Sequence, residues 1–283
     1  MTGPRIGSLF SGYGGLDMGV QMALGGTVAW HCEVDQAPAR VLAHHWPDVP
    51  NLGDITAVDW DTVEPVDVLT GGYPCQPFSH AGKRKGNDDP RHLWPHMLRA
   101  IRVLRPRIVI AENVRGHLGL GFADVLADLA DVGGYEVRWL AVRAADVGAP
   151  HRRERLFWVA SAADADEPGP QGQPGHPPRG HGESGPSASG HRGDAGRFGP
   201  YAAAVARWEQ VTGQPAPPPT EPHPKTGRSR LAPVFVEWLM GLPVGHVTDV
   251  PNLTYGAQLK ILGNGVVPQQ AALALRMLFG AAP

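Results

Sequence analysis

Short apolar runs alternate with amphipathic stretches over the first 160 residues, and this alternation restricts the chain to few architectures. Ile6–Leu9, Val28–Cys32, Val66–Leu69 and Ile108–Ala111 read as buried strands, each bounded by Gly, Pro or a carboxylate. Helical stretches lie between them: Leu16–Leu24, Ala37–His45 and Leu93–Leu104. Asp35 is placed to cap the second of these, and Pro47 to stop it. Phe122–Leu129 continues with a helical period, and Val137–Val142 and Leu156–Ala160 read as strands. Repeated strand–helix order predicts an α/β fold, a mostly parallel sheet with helices on both faces.

The pattern then breaks. Residues 167–200 contain ten Gly and seven Pro among 34 residues, too few apolar groups to offset the entropy of ordering. The segment reads as loop or disorder. Its histidines, His176, His181 and His191, lack fixed metal-ligand spacing, and no metal is expected. A short helix over Ala202–Val211 and a stiff Pro-rich stretch, Ala216–Pro224, follow. Phe235–Met240 reads as helical, as does Pro268–Phe279, which begins on Pro with Gly280 beyond it. These changes of pattern divide the chain into 1–160, 161–250 and 251–283.

Composition narrows the chemistry. The 283 residues are 42% hydrophobic, enough for a core, and no apolar run is long enough to predict a membrane span. Met1–Arg5 lacks the order of a signal peptide. Two cysteines, Cys32 and Cys75, exclude a disulfide framework and a cysteine-rich zinc site, and a cytosolic setting is expected. The net charge of −2 argues against a dedicated nucleic-acid module, although three basic clusters occur: Lys83–Arg84–Lys85, Arg152–Arg153–Arg155 and Lys225–Arg228–Arg230. Each is also compatible with an ordinary solvated surface.

Four segments carry groups suited to chemistry. In Ser8-Leu9-Phe10-Ser11-Gly12-Tyr13-Gly14-Gly15-Leu16-Asp17, a strand enters a glycine turn and then a helix, where a cofactor can approach the backbone. Asp17 occupies the place of the third glycine in G-x-G-x-x-G, which disfavours a nicotinamide enzyme. Glu33, about 20 residues on, suits a ribose diol. Without further support, the turn and Glu33 fit a nucleoside site and an ordinary strand–turn–helix equally. Gly71-Gly72-Tyr73-Pro74-Cys75-Gln76-Pro77-Phe78-Ser79 places a cysteine after a strand, between fixing prolines. A thiolate there suits addition to an electron-poor ring; a packed core thiol is the plainer reading of a lone cysteine. Glu112 ends the strand Ile108–Ala111, where a carboxyl can exchange a proton with a substrate. Arg152, Arg153 and Arg155 offer clustered guanidiniums just before another strand.

In this order, Pro-Cys-Gln, Glu-Asn-Val, Arg-x-Arg and a terminal Gly-Asn-x-Val-x-Pro resemble the DNA (cytosine-5) methyltransferases, in particular compact bacterial and phage types. The resemblance covers roughly 1–160 and 228–283. It implies a Rossmann-like class I S-adenosylmethionine-dependent fold plus a smaller target-recognition domain. Residue by residue, it implies S-adenosylmethionine contacts at Phe10, Ser11, Gly12, Gly14, Glu33, Asp54, Pro74, Leu93, Asn264 and Val266. Ser11, Gly12 and Gly14 belong to the turn at the cofactor's amino-acid end. Cys75 matches the nucleophile, Glu112 the carboxyl that engages cytosine nitrogen 3, and Arg153 and Arg155 the paired arginines. His151 stands where the family often has glutamine.

The activity implied is methyl transfer to cytosine carbon 5 in a specific duplex sequence, with base flipping. Gln76, Ser79, Lys83, Arg84 and Lys85 would then contact DNA from a loop over 79–89. A monomer is expected; the motifs fit equally a partner of a cognate restriction endonuclease, functional and not physical, and a solitary or phage-encoded enzyme. A tRNA cytosine-5 methyltransferase of the same fold shares these motifs, as does a catalytically silent DNA-binding relative. Intact Cys75 and Glu112 disfavour the latter, and the 228–250 segment resembles prokaryotic DNA enzymes.

Overall fold

The computed structural model describes residues 3–74, 93–162 and 195–280. The first region runs β1 (Arg5–Leu9), α1 (Gly15–Leu24), β2 (Thr27–Cys32), α2 (Gln36–His45), β3 (Val68–Gly71), α3 (Trp94–Leu104), β4 (Ile108–Val114), α4 (Phe122–Val132), β5 (Tyr135–Arg143) and β6 (Glu154–Ala162). Every strand predicted from the apolar runs is present. Asp35 caps α2 as its position predicts, its Oδ1 accepting from Ala37 N at 3.1 Å.

The six strands form one sheet in the order β2-β1-β3-β4-β6-β5. The pairings β1–β2, β1–β3 and β3–β4 are parallel, whereas β4–β6 and β5–β6 are antiparallel, so the sheet is mixed. The reason is chain length. Only residues 144–153 join β5 to β6, too few for a helical crossover, so β6 turns back and inserts beside β4.

Strand alternation divides the core between two faces. On one, Leu9, Leu69, Val109, Leu156 and Trp158 pack with Met97 and Ile101 of α3 and Phe122 and Leu129 of α4. On the other, Ile6, Val68, Ile110, Phe157 and Val159 pack with Leu16 and Val20 of α1 and with the last helix.

The second region contains α5 (Ala195–Phe198), α6 (Ala202–Thr212), a hairpin of β7 (Thr220–Pro222) and β8 (Ser229–Leu231), α7 (Pro233–Leu239), α8 (Tyr255–Asn264) and α9 (Pro268–Leu278). α9 returns to pack against α1. A Cβ on Gly19 would lie 2.5 Å from Ala271 Cβ, so that crossing needs glycine. A third apolar cluster joins Trp208, Trp238, Leu242, Val247 and Leu262 to Tyr13 and Val41 of the first region. Sequence periodicity gives neither α8 nor the β7–β8 hairpin. The hairpin is held by Arg230, paired with Glu221 and stacked 3.8 Å above the Tyr255 ring. No helix among the described residues is long and apolar enough to cross a membrane.

Two buried histidines weaken this fold in acid. His31 is 1% exposed, and neither ring nitrogen has a hydrogen-bond partner among the described residues. His246, also buried, donates from Nε2 to Tyr13 O at 2.9 Å. Burial lowers both from 6.5 to about 4. Their stability contribution is present above pH 6.5 and is lost as pH falls through about 4, on the order of 3 kcal/mol for each. Asp17, lifted to about 6 by burial, works in the opposite sense, so the expected result is a comparison: His31→Leu loses less melting temperature than the parent between pH 6.5 and 4. Thermal melts across the range check this; a variant as acid-sensitive as the parent contradicts it.

Candidate active site

The carboxyl ends of β1, β2, β3 and β4 open onto one cavity of about 520 Å³, closed on its far side by the end of α8 and the residues after it. Ligand sites in open α/β sheets lie at this edge. Phe10, Ser11, Gly12, Glu33, Asp54, Pro74, Leu93, Asn264 and Val266 all line it, together with Glu112 and Arg155. Segments 250 residues apart in sequence thus share one wall.

The glycine turn is built for close approach. Phe10 adopts φ 52°, a left-handed conformation rare for an aromatic, and Gly12 and Gly14 adopt 57° and 83°. Gly14 lies behind the lining at the start of α1, where a Cβ would meet the Trp46 ring at 2.7 Å. The opposite wall fits as tightly: a Cβ on Gly265 would fall 1.8 Å from Tyr13 Cε1. Tyr13 is buried, and its hydroxyl donates to Val266 O at 2.6 Å, which fixes the terminal motif against the turn.

Glu33 closes the end of the cavity beside the glycine turn. Its Oε2 accepts from Gly12 N at 2.9 Å and its Oε1 from Asp35 N at 2.8 Å. Burial raises its carboxyl above the usual range, and those backbone donors oppose the rise. Asp54 is held low by Thr56, whose N–H and hydroxyl both donate to its Oδ1. Lys260 reaches across from α8 to Asp35 Oδ2 at 2.8 Å, an exposed pair at the cavity rim.

At the other end Glu112 is 8% exposed, and its Oε1 lies 2.9 Å from Arg155 Nε. Burial raises the Glu112 carboxyl, opposed by Arg155 and Arg153. Its neighbour Asn113 donates from Nδ2 to Tyr73 O at 3.1 Å, tying β4 to the segment that ends at Pro74. Tyr73 in turn donates to His117 Nε2 at 2.7 Å, because the His117 Nδ1–H is directed at Leu120 O.

Arg153 does not line the cavity. Its guanidinium donates to Gly263 O at 3.0 Å and to Gly265 O, so it braces the α8 end rather than facing a ligand. His151 is likewise turned to backbone, with Nε2 donating to Leu239 O at 2.9 Å. Cys32 is buried at the end of β2, its thiol directed at Gly53 O and pushed up to about 12 by burial, which leaves it inert. Cys75 lies outside the described residues, but its covalent neighbour Pro74 lines the cavity. Gln76, Ser79, Lys83, Arg84 and Lys85 also lie outside them. No cluster of potential metal ligands occurs among the described residues.

Sequence reasoning missed Tyr13, Lys260 and Asn113, and it read Asp17 only as a break in glycine spacing. Asp17 is buried behind the turn, with Ser8 and Thr70 on its two carboxylate oxygens. Its place in a helix's first turn, beside two strand-end hydroxyls, was the available signal.

Residues 5–181 match the family described as C-5 cytosine-specific DNA methylase. Type II methyltransferase M.HgiBI of Herpetosiphon aurantiacus is 37% identical over 163 residues, 55% of this chain and 36% of that protein. Type II methyltransferase M.AquIA of a Picosynechococcus strain is 35% identical over 178 residues, 56% of this chain and 71% of that protein. The match thus spans little more than a third of the former's length. Among solved structures, S. pombe Dnmt2 methyltransferase superposes with TM-score 0.66 at 16% identity, covering 98% of each chain. A Spodoptera frugiperda DNMT2 mutant superposes with TM-score 0.65 at 17% identity, covering 97% of this chain and 99% of that one. The mixed α/β sheet is the one found in those structures, and the chain belongs to the C-5 cytosine-specific DNA methylase family.

Proposed function

We propose that this chain transfers a methyl group from S-adenosylmethionine to carbon 5 of cytosine in a specific duplex DNA sequence. The observation that carries this reading is the meeting, in one cavity, of the glycine turn and Glu33 with the Glu112–Arg155 pair and Pro74. The cavity residues fit the cofactor. A volume of about 520 Å³ is in the range of small-molecule sites, and Gly15 and Gly265 keep its walls clear of side chains where the chain crosses itself. Phe10, Glu33 and Asp54 would hold the nucleoside, and Ser11, Gly12 and Asn264 the amino-acid end. When bound, the cofactor supplies an electrophilic methyl group.

Carbon 5 of cytosine is a weak nucleophile until the ring is activated. The Cys75 thiolate forms a bond to carbon 6, and the displaced π electrons load carbon 5. Glu112, as the protonated carboxyl, donates to nitrogen 3 and takes up the charge that develops there. Arg155, on the same cavity wall, holds Glu112 in place. Once carbon 5 carries the methyl group, its hydrogen leaves to a base as a proton. The electrons of that C–H bond restore the double bond and expel Cys75. A cytosine stacked in a duplex cannot reach such a site, so the base is flipped out, at a cost of a few kcal/mol. The Lys83–Arg84–Lys85 run is suited to the flanking phosphates. By their likeness to the type II relatives, we place this chain in a modification role beside a restriction endonuclease.

Bisulfite sequencing of DNA from cells expressing the chain tests the reading. Methylated cytosine is expected within one recurring sequence, and Cys75→Ser is expected to abolish it. Duplex DNA left unmethylated while tRNA is modified would overturn the substrate assignment. A Cys75→Ser protein with full turnover would overturn the mechanism.

A further inference from the structure

Asp17 is a buried acid that the reaction as described does not use. It lies in the first turn of α1, 1% exposed, directly behind the glycine turn. Both carboxylate oxygens meet neutral donors: Ser8 Oγ at 2.7 Å from Oδ2, and Thr70 Oγ1 at 2.7 Å from Oδ1. Among the described residues, none of the ion pairs includes Asp17.

Stability of the fold does not require an acid at this position. An asparagine would meet the same two hydroxyls, one as acceptor and one as donor, without desolvating a charge. Burial lifts the Asp17 carboxyl to about 6, so at neutral pH it is ionised against a desolvation cost that no cation among the described residues offsets.

Between Asp17 and the cavity stand Ser8, Ser11 and Thr70, which all line it. Each hydroxyl has a single proton. Ser8 and Thr70 commit theirs to the carboxylate. Ser8 Oγ also lies 2.8 Å from Ser11 Oγ, whose own proton goes to Ser8 O at 3.0 Å while its oxygen accepts from Cys32 N at 3.4 Å. A negative charge therefore lies one hydroxyl behind the cavity wall. Such a wall repels a carboxylate and attracts an ammonium.

We propose that Asp17 is a positioning residue for the cofactor: its carboxylate, held behind Ser8, Ser11 and Thr70, is the buried countercharge for the ammonium at the amino-acid end of S-adenosylmethionine. This rests on the reading of the cavity as the cofactor site, since the turn that Asp17 backs is the one assigned to that end. The effect is electrostatic and acts through the hydroxyls, so Asp17 need not touch the ligand.

Calorimetric titration of the full chain and its Asp17→Asn variant with three ligands separates the alternatives. S-adenosylmethionine and S-adenosylhomocysteine carry the ammonium; methylthioadenosine lacks the whole amino-acid end. In the variant the first two are expected to bind about tenfold more weakly, with methylthioadenosine within about twofold of the parent. Equal weakening of all three would reduce Asp17 to a structural role. Weakening of S-adenosylmethionine alone would move the charge to the sulfonium, and unchanged binding of all three would remove the effect; each overturns the proposal. A parent chain that binds none of the three overturns the cofactor reading itself. If Asp17→Asn does not fold, Asp17→Ser leaves more room and carries the same comparison.

Discussion

Glu112→Gln is expected to lower kcat/KM for DNA methylation by roughly 10²–10⁴-fold while leaving S-adenosylmethionine affinity within about twofold. Glutamine has the size of glutamate and can still donate a hydrogen bond, so what it removes is the proton. Glu112 is buried, and burial raises its carboxyl, so the protonated form is within reach closer to neutral pH than for an ordinary glutamate. The Arg155 guanidinium 2.9 Å away opposes that rise. The balance lets the group share its proton with nitrogen 3 as charge builds there and recover it afterwards. The sign of the pH dependence follows. Activity that needs the protonated carboxyl falls as pH rises through its raised pKa, and that limb is expected to vanish in the variant. Arg155 is one-fifth exposed, so losing its partner leaves it partly hydrated and the fold intact. Steady-state rates across pH, with a separate cofactor titration, check the prediction. A variant that keeps more than a third of parental activity, or loses cofactor binding in proportion, removes Glu112 from the chemistry.

The parts of this molecule that local pattern determines were legible in its sequence. Apolar runs such as Ile108–Ala111 cannot be satisfied outside a buried sheet, and the glycine turn after β1 needs the backbone freedom its residues supply. Motif residues from four strand ends converged on one cavity because a parallel sheet brings strand ends to one edge. What was not legible depends on distant partners. Tyr13 acts on Val266, 253 residues away, and nothing near either residue signals that contact. Arg153 resembled an active-site arginine by spacing, yet its guanidinium is taken up by the carbonyls of Gly263 and Gly265. α8 places its apolar residues at 255, 257, 259, 261 and 262, not at a helical period, and runs into Gly263-Asn264-Gly265, so its sequence reads as a turn; it is helical because Ile261 and Leu262 pack into the third apolar cluster.

Glu237 was hidden in the same way, inside an otherwise apolar helix, and the second large effect is expected there. Glu237→Ala should destabilise the protein by roughly 3–6 kcal/mol, out of a total that is about 5–15 kcal/mol for folded proteins. The side chain is 2% exposed and accepts four hydrogen bonds from one short stretch. Gly245 N and Thr248 Oγ1 reach Oε2 at 2.8 and 2.9 Å; Val247 N and Thr248 N reach Oε1 at 2.6 and 2.9 Å. Residues 245–248 form no strand or helix that would satisfy these donors otherwise. Alanine strands three backbone N–H groups, two of them on buried residues, with no acceptor and little room for water. Glutamine keeps one accepting oxygen and presents an amide to donors on the other side, so Glu237→Gln should lose about half as much. The damage reaches the cavity, because His246 in this stretch donates to Tyr13 O and Tyr13 holds Val266. Melting about 10 °C below the parent, together with weakened cofactor binding, is therefore expected for Glu237→Ala. A melting point within about 2 °C of the parent would show that the 245–248 backbone finds other acceptors and that Glu237 does not hold this wall in place.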